Sequence, residues 1–334
     1  VSSRLAQYIR YHEESARIGD IDPAYGMLLY VCDRFELNVE QRYWLAWLYA
    51  MTYCGASAFY LYNEFPDFEN VDAGRLQRWW DSRGRQCTVF QTDRRWVRSR
   101  SQFVDAFLSY RRWIGPWEQH RHFSSLVKRL ETPEARYSAV YDSASRLYTM
   151  GQFTLFLYLE ALHTLTPLDL CPTDLDLNRA WSCRYGLYYA YDRDEWVTDA
   201  EEPMRPDQHA ETAAMWSDLR ARLEALTSPP TVWQTETILC AFRKFHRGKR
   251  YIGYYLDRQA AEVAKMERQA REGVCWRVLW DYRREHLHED YLAELGFRRY
   301  GWRELPALDH KRGEVSTWWK NQGRDRTVRL VEET

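Results

Sequence analysis

Lysine is scarce in this chain: of its 47 basic residues only 6 are lysine and 41 are arginine. A GC-rich genome produces such a bias, and so does a demand for planar guanidinium forks that grip phosphate. The sequence leaves both standing. Paired cysteines are missing too. The seven present, Cys32, Cys54, Cys87, Cys171, Cys183, Cys240 and Cys275, are odd in number and form no CxxC pair, which argues against a disulfide framework and against a zinc finger. Reduced thiols fit an intracellular protein. No run approaches the roughly 20 apolar residues of a membrane span, and no signal peptide opens the chain. A soluble protein is expected, working in the host cytoplasm if it is viral. No GxxxxGK[ST] loop, Gly-rich dinucleotide fingerprint or recognisable pyridoxal lysine occurs, so nucleotide hydrolysis and organic-cofactor chemistry are not expected. Internal repeats and low-complexity tracts are absent as well.

Aromatic residues, by contrast, are abundant, with 16 Trp, 24 Tyr and 13 Phe in 334 residues. They supply a large core. That core is expected to form around residues 36 to 69. Asn38 followed by Gln41 has the form of a capping box, and Glu40 adds an acid to the first turn. From Tyr43 to Met51 every residue is apolar or aromatic, so the helix has no face for water and belongs in the middle of the fold. The pattern predicts one helix over about 38–64, running through Gly55 at a cost of about 1 kcal/mol and stopping before Pro66.

Other segments also read as helices: residues 2–18, Pro23 to Phe35 with Asp22 as its start signal, Thr132 to about Met150, and the strongly apolar stretch from Gln152. CTVF (87–90) is the one strand-like piece in an irregular basic region. The fold class is therefore all-α, with helices packed around a buried central one, in a single large helical domain spanning 1–334 or divided near the Pro-rich break at 228–231.

The runs EQRYWLAWLYAMTYCGASAFYLYNEFPDFE, SCRYGLYYAYDRDE and RGKRYIGYYLDRQ resemble the bacteriophage amino acid:DNA transferases, also called α-glutamyl/putrescinyl thymine pyrophosphorylases. The resemblance extends over roughly residues 25 to 310. It implies an enzyme that displaces pyrophosphate from 5-(pyrophosphoryloxymethyl)uracil in phage DNA with the amine of an amino acid or polyamine, the modified base being flipped from the duplex. A distant likeness to DNA glycosylases has been suggested for the family, though no LPGVG-type hairpin occurs here.

Such a reaction needs cations for the diphosphate, a base for the ammonium proton and an anchor for the incoming amine. Arg243, Lys244, Arg247, Lys249, Arg250 and Arg258 form the densest cationic cluster, which read blandly is a basic helix end. In YYLDRQ, Tyr254, Tyr255, Asp257 and Arg258 share adjoining helical faces; Asp257 and Arg258 serve as base and diphosphate ligand, or form a structural ion pair. Glu64 and Asp67, at the end of the buried helix, are further catalytic candidates. Arg184 in SCRYG offers a fork for phosphate or carboxylate, and Asp281 and Arg284 in WDYRRE repeat the combination of acid and Arg.

Asp192, Asp194 and Glu195 fit a Mg²⁺ held with the diphosphate, or a solvated acidic turn. Mg²⁺ is the one cofactor the chemistry admits. The pairs His120/His122 and His286/His288 have a spacing that parts their side chains on a helix and does not suggest a metal site.

Residues 75–136 carry 14 basic and 6 acidic side chains. This is a solvated surface or a phosphate-tracking one, with Arg94, Arg95 and Arg98, together with Arg243, Lys244 and Arg247, as the DNA contacts and the interleaved aromatics as stacking partners. The alternative to a transferase is a non-catalytic or glycosylase-like DNA-binding protein. A helical interaction protein is a third reading.

Overall fold

The computed structural model describes residues 3–91, 97–198, 202–246, 250, 252–270 and 273–287. Its α-helices are α1 (Ser3–Arg17), α2 (Pro23–Arg34), α3 (Val39–Thr52), α4 (Gly55–Glu64), α5 (Ala73–Trp79), α6 (Arg85–Cys87), α7 (Gln102–Ile114), α8 (Gln119–Val127), α9 (Pro133–Ala144), α10 (Gln152–Leu165), α11 (Trp181–Ala190), α12 (His209–Glu224), α13 (Val232–His246), α14 (Tyr254–Gln269) and α15 (Arg277–His286). Among the described residues there is no strand, and no helix is long and apolar enough to cross a membrane. The fold is all-α.

α3 sits at the centre, as its sequence predicts. The Asn38 side chain accepts from the Gln41 amide at 3.0 Å and the Gln41 side chain accepts from the Asn38 amide at 3.0 Å, closing the capping box. Every residue from Tyr43 to Thr52 is buried. Trp47 stacks on Trp44 at 5.0 Å between centroids and on Tyr110 at 5.1 Å, and α10 and α4 pack against the same helix. Glu40 has a second use beyond its own first turn. Its carboxylate accepts from the amides of Gln119 and His120 at 2.7 and 2.8 Å, capping the start of α8.

The predicted helix over 38–64 is two helices. Tyr53 turns into the left-handed region (φ 49°) and closes α3 with a 2.6 Å bond from its N–H to the Tyr49 carbonyl. The Thr52 hydroxyl donates to the Leu48 carbonyl at 3.0 Å and approaches the Cys54 carbonyl at 3.2 Å, offering the chain an alternative to the next helical turn. α4 then restarts at Gly55, where a Cβ would lie 2.6 Å from Met27 Cε. Gly55 therefore serves the approach of α4 to α2, not the passage of one long helix. CTVF differs in a similar way: Thr88 is extended, but the Val89 N–H donates to the Ser57 hydroxyl at 2.9 Å and that hydroxyl donates to the Val89 carbonyl at 2.7 Å. Side-chain hydroxyl bonds replace a strand partner. α9 ends at Ala144, short of the expected Met150.

In the basic segment the aromatics turn inward. Trp80, Phe90, Tyr110 and Phe123 are buried, while Trp79 and Trp113 are half-buried and Trp117 is exposed. The first four hold the core and are not available to stack on bases. Arg75, Arg78, Arg98, Arg100, Arg112 and Arg121 face solvent.

Candidate functional site

α11 and α13 pack unusually closely, because Gly186 faces the α13 backbone: a Cβ there would lie 2.0 Å from the Leu239 carbonyl oxygen. The same helix pair borders a cavity of about 830 Å³. α9, α10, the 173–180 segment, α11, α13 and α14 supply its walls. The volume lies within the usual range of small-molecule sites.

Along α13, Glu236, Cys240 and Lys244 recur every fourth residue, so an acid, a thiol and an ammonium form one stripe facing the cavity. Lys244 Nζ lies 3.5 Å from Cys240 Sγ, and Ser182 Oγ, from the first turn of α11, lies 3.2 Å from the same sulfur. Burial pushes the Cys240 thiol up, but the Lys244 and Arg250 cations and the Ser182 hydroxyl outweigh it and bring it down to about 7. Arg250 in turn depresses the Lys244 ammonium below its ordinary value.

Arg250 extends the cationic side. It lies over the rings of Tyr254 and Tyr255 at 4.8 and 4.5 Å and donates to the Tyr255 hydroxyl. Arg258, which also lines the cavity, is held by Glu262 through a 3.0 Å bond one turn along α14. Glu262 is buried and also receives a bond from Gln91. Burial raises the Glu262 carboxyl, and Arg258 pulls it partway back.

Carboxyls oppose these cations. Burial, with Cys240 and Asp22 nearby, holds Glu236 well above the usual carboxylate range. Asp22, directly behind Thr237, accepts its hydroxyl at 2.6 Å and is raised to about 6 by burial, against the pull of that bond and of Arg250 and Arg258. Glu160 is raised well above the usual range by burial and by Asp22, while its bond from the Tyr25 hydroxyl works the other way. Two residues before Asp22, Asp20 accepts the amides of Gly253 at 2.7 Å and Leu256 at 3.0 Å, seating the start of α14.

The raised Asp22 has a testable consequence. The unfolded carboxyl ionises near 3.8 and the folded one near 6, so the folded chain binds more protons in this window. Stability attributable to Asp22 falls as pH rises from about 4 to 6 and then levels off. Asp22→Asn, which tolerates the left-handed backbone there (φ 44°), is expected to melt higher than the parent at pH 7 and alike at pH 4. A lower melt at pH 7 would show that Arg250 and Arg258 hold the carboxylate ionised.

Of the residues singled out from sequence, the cavity gathers Lys244, Arg250, Tyr255 and Arg258. Tyr254 lies beneath Arg250. Asp257 is buried in the first turn of α14 but does not line the cavity. Arg243 is 5 % exposed and stacks over Trp181 at 4.6 Å.

Arg184 is fully buried and donates to three backbone carbonyls, those of Leu177, Asn178 and Glu202, so its fork holds the chain beside the cavity. Glu64 and Asp67 lie at the far end of α4, and Asp281 pairs with Arg284 on α15 at 2.6 Å. None of these four lines the cavity. Arg98 is exposed and donates to the Arg85 carbonyl. Arg94, Arg95, Arg247 and Lys249 fall outside the described residues.

Asp192 and Asp194 both pair with Arg4, and among the described residues no three His, Cys, Asp or Glu side chains group as a metal site. Reasoning from sequence picked out Ser182 as a small residue beside Arg184 but missed Asp22, Glu236 and Cys240 as site residues. The Glu-x3-Cys-x3-Lys spacing was the signal available for Glu236 and Cys240.

The site is thus a mixed cationic and carboxylic cavity in an all-α fold. A family model described as "Amino acid:DNA transferase" matches residues 16–251, and the chain belongs to that family. It is 25% identical over 287 residues to a protein of Salmonella phage ViI named "Serinyltransferase", an alignment covering 77% of this chain and 66% of the relative. The chain thus spans just under two thirds of that relative's length. No solved structure matches, so the suggested likeness to DNA glycosylases gains no support.

Proposed function

We propose that this protein transfers the amine of an amino acid or polyamine onto a flipped 5-(pyrophosphoryloxymethyl)uracil in duplex DNA, releasing diphosphate and leaving a hypermodified thymine. The observation that carries this reading is the meeting, around one cavity, of Lys244, Arg250 and Arg258 with the carboxyl of Glu236, while Asp22 holds the wall residue Thr237. Diphosphate is a good leaving group, so charge neutralisation and positioning are the main demands on the protein. The three cations receive the diphosphate. Glu236, on the cavity wall, takes the proton that the attacking ammonium sheds.

Arg179, on the rim, is mostly exposed and offers a fork for an amino acid's carboxylate. The relative's printed name makes serine the first amine to try. Solvent-facing Arg75, Arg78, Arg98 and Arg100 track backbone phosphates, with Arg94 and Arg95 in the same stretch of sequence. Such an enzyme works in the host cytoplasm, where phage DNA is made, and Mg²⁺ enters only as a companion of the diphosphate.

The test is to incubate the protein with duplex carrying the pyrophosphorylated base and a mixture of amines, then analyse the nucleosides by mass spectrometry. A nucleoside that has lost diphosphate and gained one amine is expected. Duplex that is bound but unchanged with every amine would leave a DNA-binding protein instead.

A further inference from the structure

A direct displacement at the C5 methylene needs cations and a base; it has no use for a thiol. Yet Cys240 stands in the middle of the α13 stripe, with Lys244 Nζ at 3.5 Å and Ser182 Oγ at 3.2 Å from its sulfur, on the wall of the cavity. The contrast with the other thiols is sharp. Cys32, Cys54 and Cys183 are buried and pushed up by that burial, and Cys171 is raised as well. At Cys240, unlike these four, neighbouring cations reverse the direction. A thiol brought down to about 7 by adjacent cations on a cavity wall has the character of a nucleophile.

We propose that Cys240 acts as a transient covalent nucleophile, its sulfur adding to C6 of the flipped uracil to drive out the diphosphate. This rests on the transfer reaction proposed above. The thiolate pair forms the S–C6 bond, and the C5–C6 π pair moves to O4 as an enolate. When the enolate collapses, the C4 carbonyl re-forms, an exocyclic C5 methylene forms, and the methylene C–O bond breaks with its pair leaving on the diphosphate. Lys244, Arg250 and Arg258 receive that charge.

The amine then adds to the methylene, regenerating the enolate, and its surplus proton passes to Glu236, one turn before Cys240. Collapse of this second enolate restores the C5–C6 double bond and expels the Cys240 thiolate. One C–N bond has formed and one C–O bond has broken. No oxidant or reductant is consumed, and the thiolate is returned.

The experiment uses full-length protein, the duplex bearing the pyrophosphorylated base, and the same duplex deuterated at C6. In single turnover, Cys240→Ala is expected to lose at least about 10³-fold in rate, the scale of losing a covalent nucleophile, while its melt and its duplex affinity match the parent. The parent should show an inverse isotope effect at C6. With amine omitted, it should form an adduct, stable on a denaturing gel, that joins the Cys240 peptide to the strand with diphosphate lost.

Independently of turnover, iodoacetamide labelling of the Cys240 peptide should titrate near 7 and move upward in Lys244→Met. A Cys240→Ala protein within about 10-fold of the parent, outside the range of even a single lost acid or base, would reduce Cys240 to a wall residue. So would a labelling midpoint near 9, the ordinary thiol value. A parent that, with no amine, turns the modified base over to a product free of the protein, yet labels near 7, would instead overturn the transfer reading, and the C6 step would fall with it.

Discussion

Arg258→Met is expected to lower both stability and turnover, and a second substitution separates the two losses. Arg258 and Glu262 form a nearly enclosed pair, with side-chain exposures of 15 and 8 %. Removing the guanidinium leaves Glu262 buried with only the neutral partners Gln91 and Cys54 bonded to it, and breaking such a pair costs about 3 to 5 kcal/mol. The lone carboxyl escapes that cost by taking up a proton. The deficit should therefore be small below about pH 4.5, the ordinary Glu value, and grow as pH rises. Arg258→Met with Glu262→Gln removes both charges and should melt close to the parent at pH 7.

Turnover should not return. If Arg258 receives the diphosphate, single-turnover rate stays down by roughly 10²-fold or more in the double variant. Recovery of rate along with stability would make Arg258 a structural residue and take this face of α14 out of the site. Thermal melts at several pH values, run beside the transfer assay, give both readings from the same preparations.

Arg250→Met should produce the second large effect, of a different kind. Arg250 is fixed over two tyrosine rings and lies between Lys244 and the start of α14. Its loss should cut single-turnover release of diphosphate by roughly 10² to 10³-fold, and should let the Lys244 ammonium return toward its ordinary value, since Arg250 is the main cause of its depression. Duplex affinity should barely change, because the side chain faces the cavity. Were Arg250 instead bound to a backbone phosphate, the variant would bind DNA more weakly and the salt slope would drop by about 1. Titrating affinity against salt beside the quenched-flow assay distinguishes these outcomes.

What the sequence made legible was what is decided within a few residues. The capping box at Asn38, the helix start at Pro23 and the unbroken apolar run of α3 are local, and all reappear in the structure. The break at Tyr53 was hidden because its causes are a hydroxyl competing for carbonyls and the approach of Met27 to Gly55 from another helix. Arg184 reads as a ligand fork until the carbonyls of Leu177, Asn178 and Glu202 are seen to occupy it. Asp22 looks like a simple cap, yet makes no side-chain cap bond and turns toward Thr237 instead. The stripe at Glu236, Cys240 and Lys244 was in plain view. Periodicity gave it no meaning until the close contact at Gly186 showed which face of α13 borders the cavity.

The segment from Asp20 to Asp22 bears on chain connectivity. Asp20 grips the start of α14 and Asp22 grips Thr237 on α13, across 233 and 215 positions of sequence. The two cavity walls are thus fastened to each other by a clamp from a distant part of the chain. A permuted protein whose termini open between α13 and α14 keeps that clamp and both walls. One whose termini open between residues 20 and 22 divides it, and the anchors of the two helices then belong to opposite ends of the polypeptide.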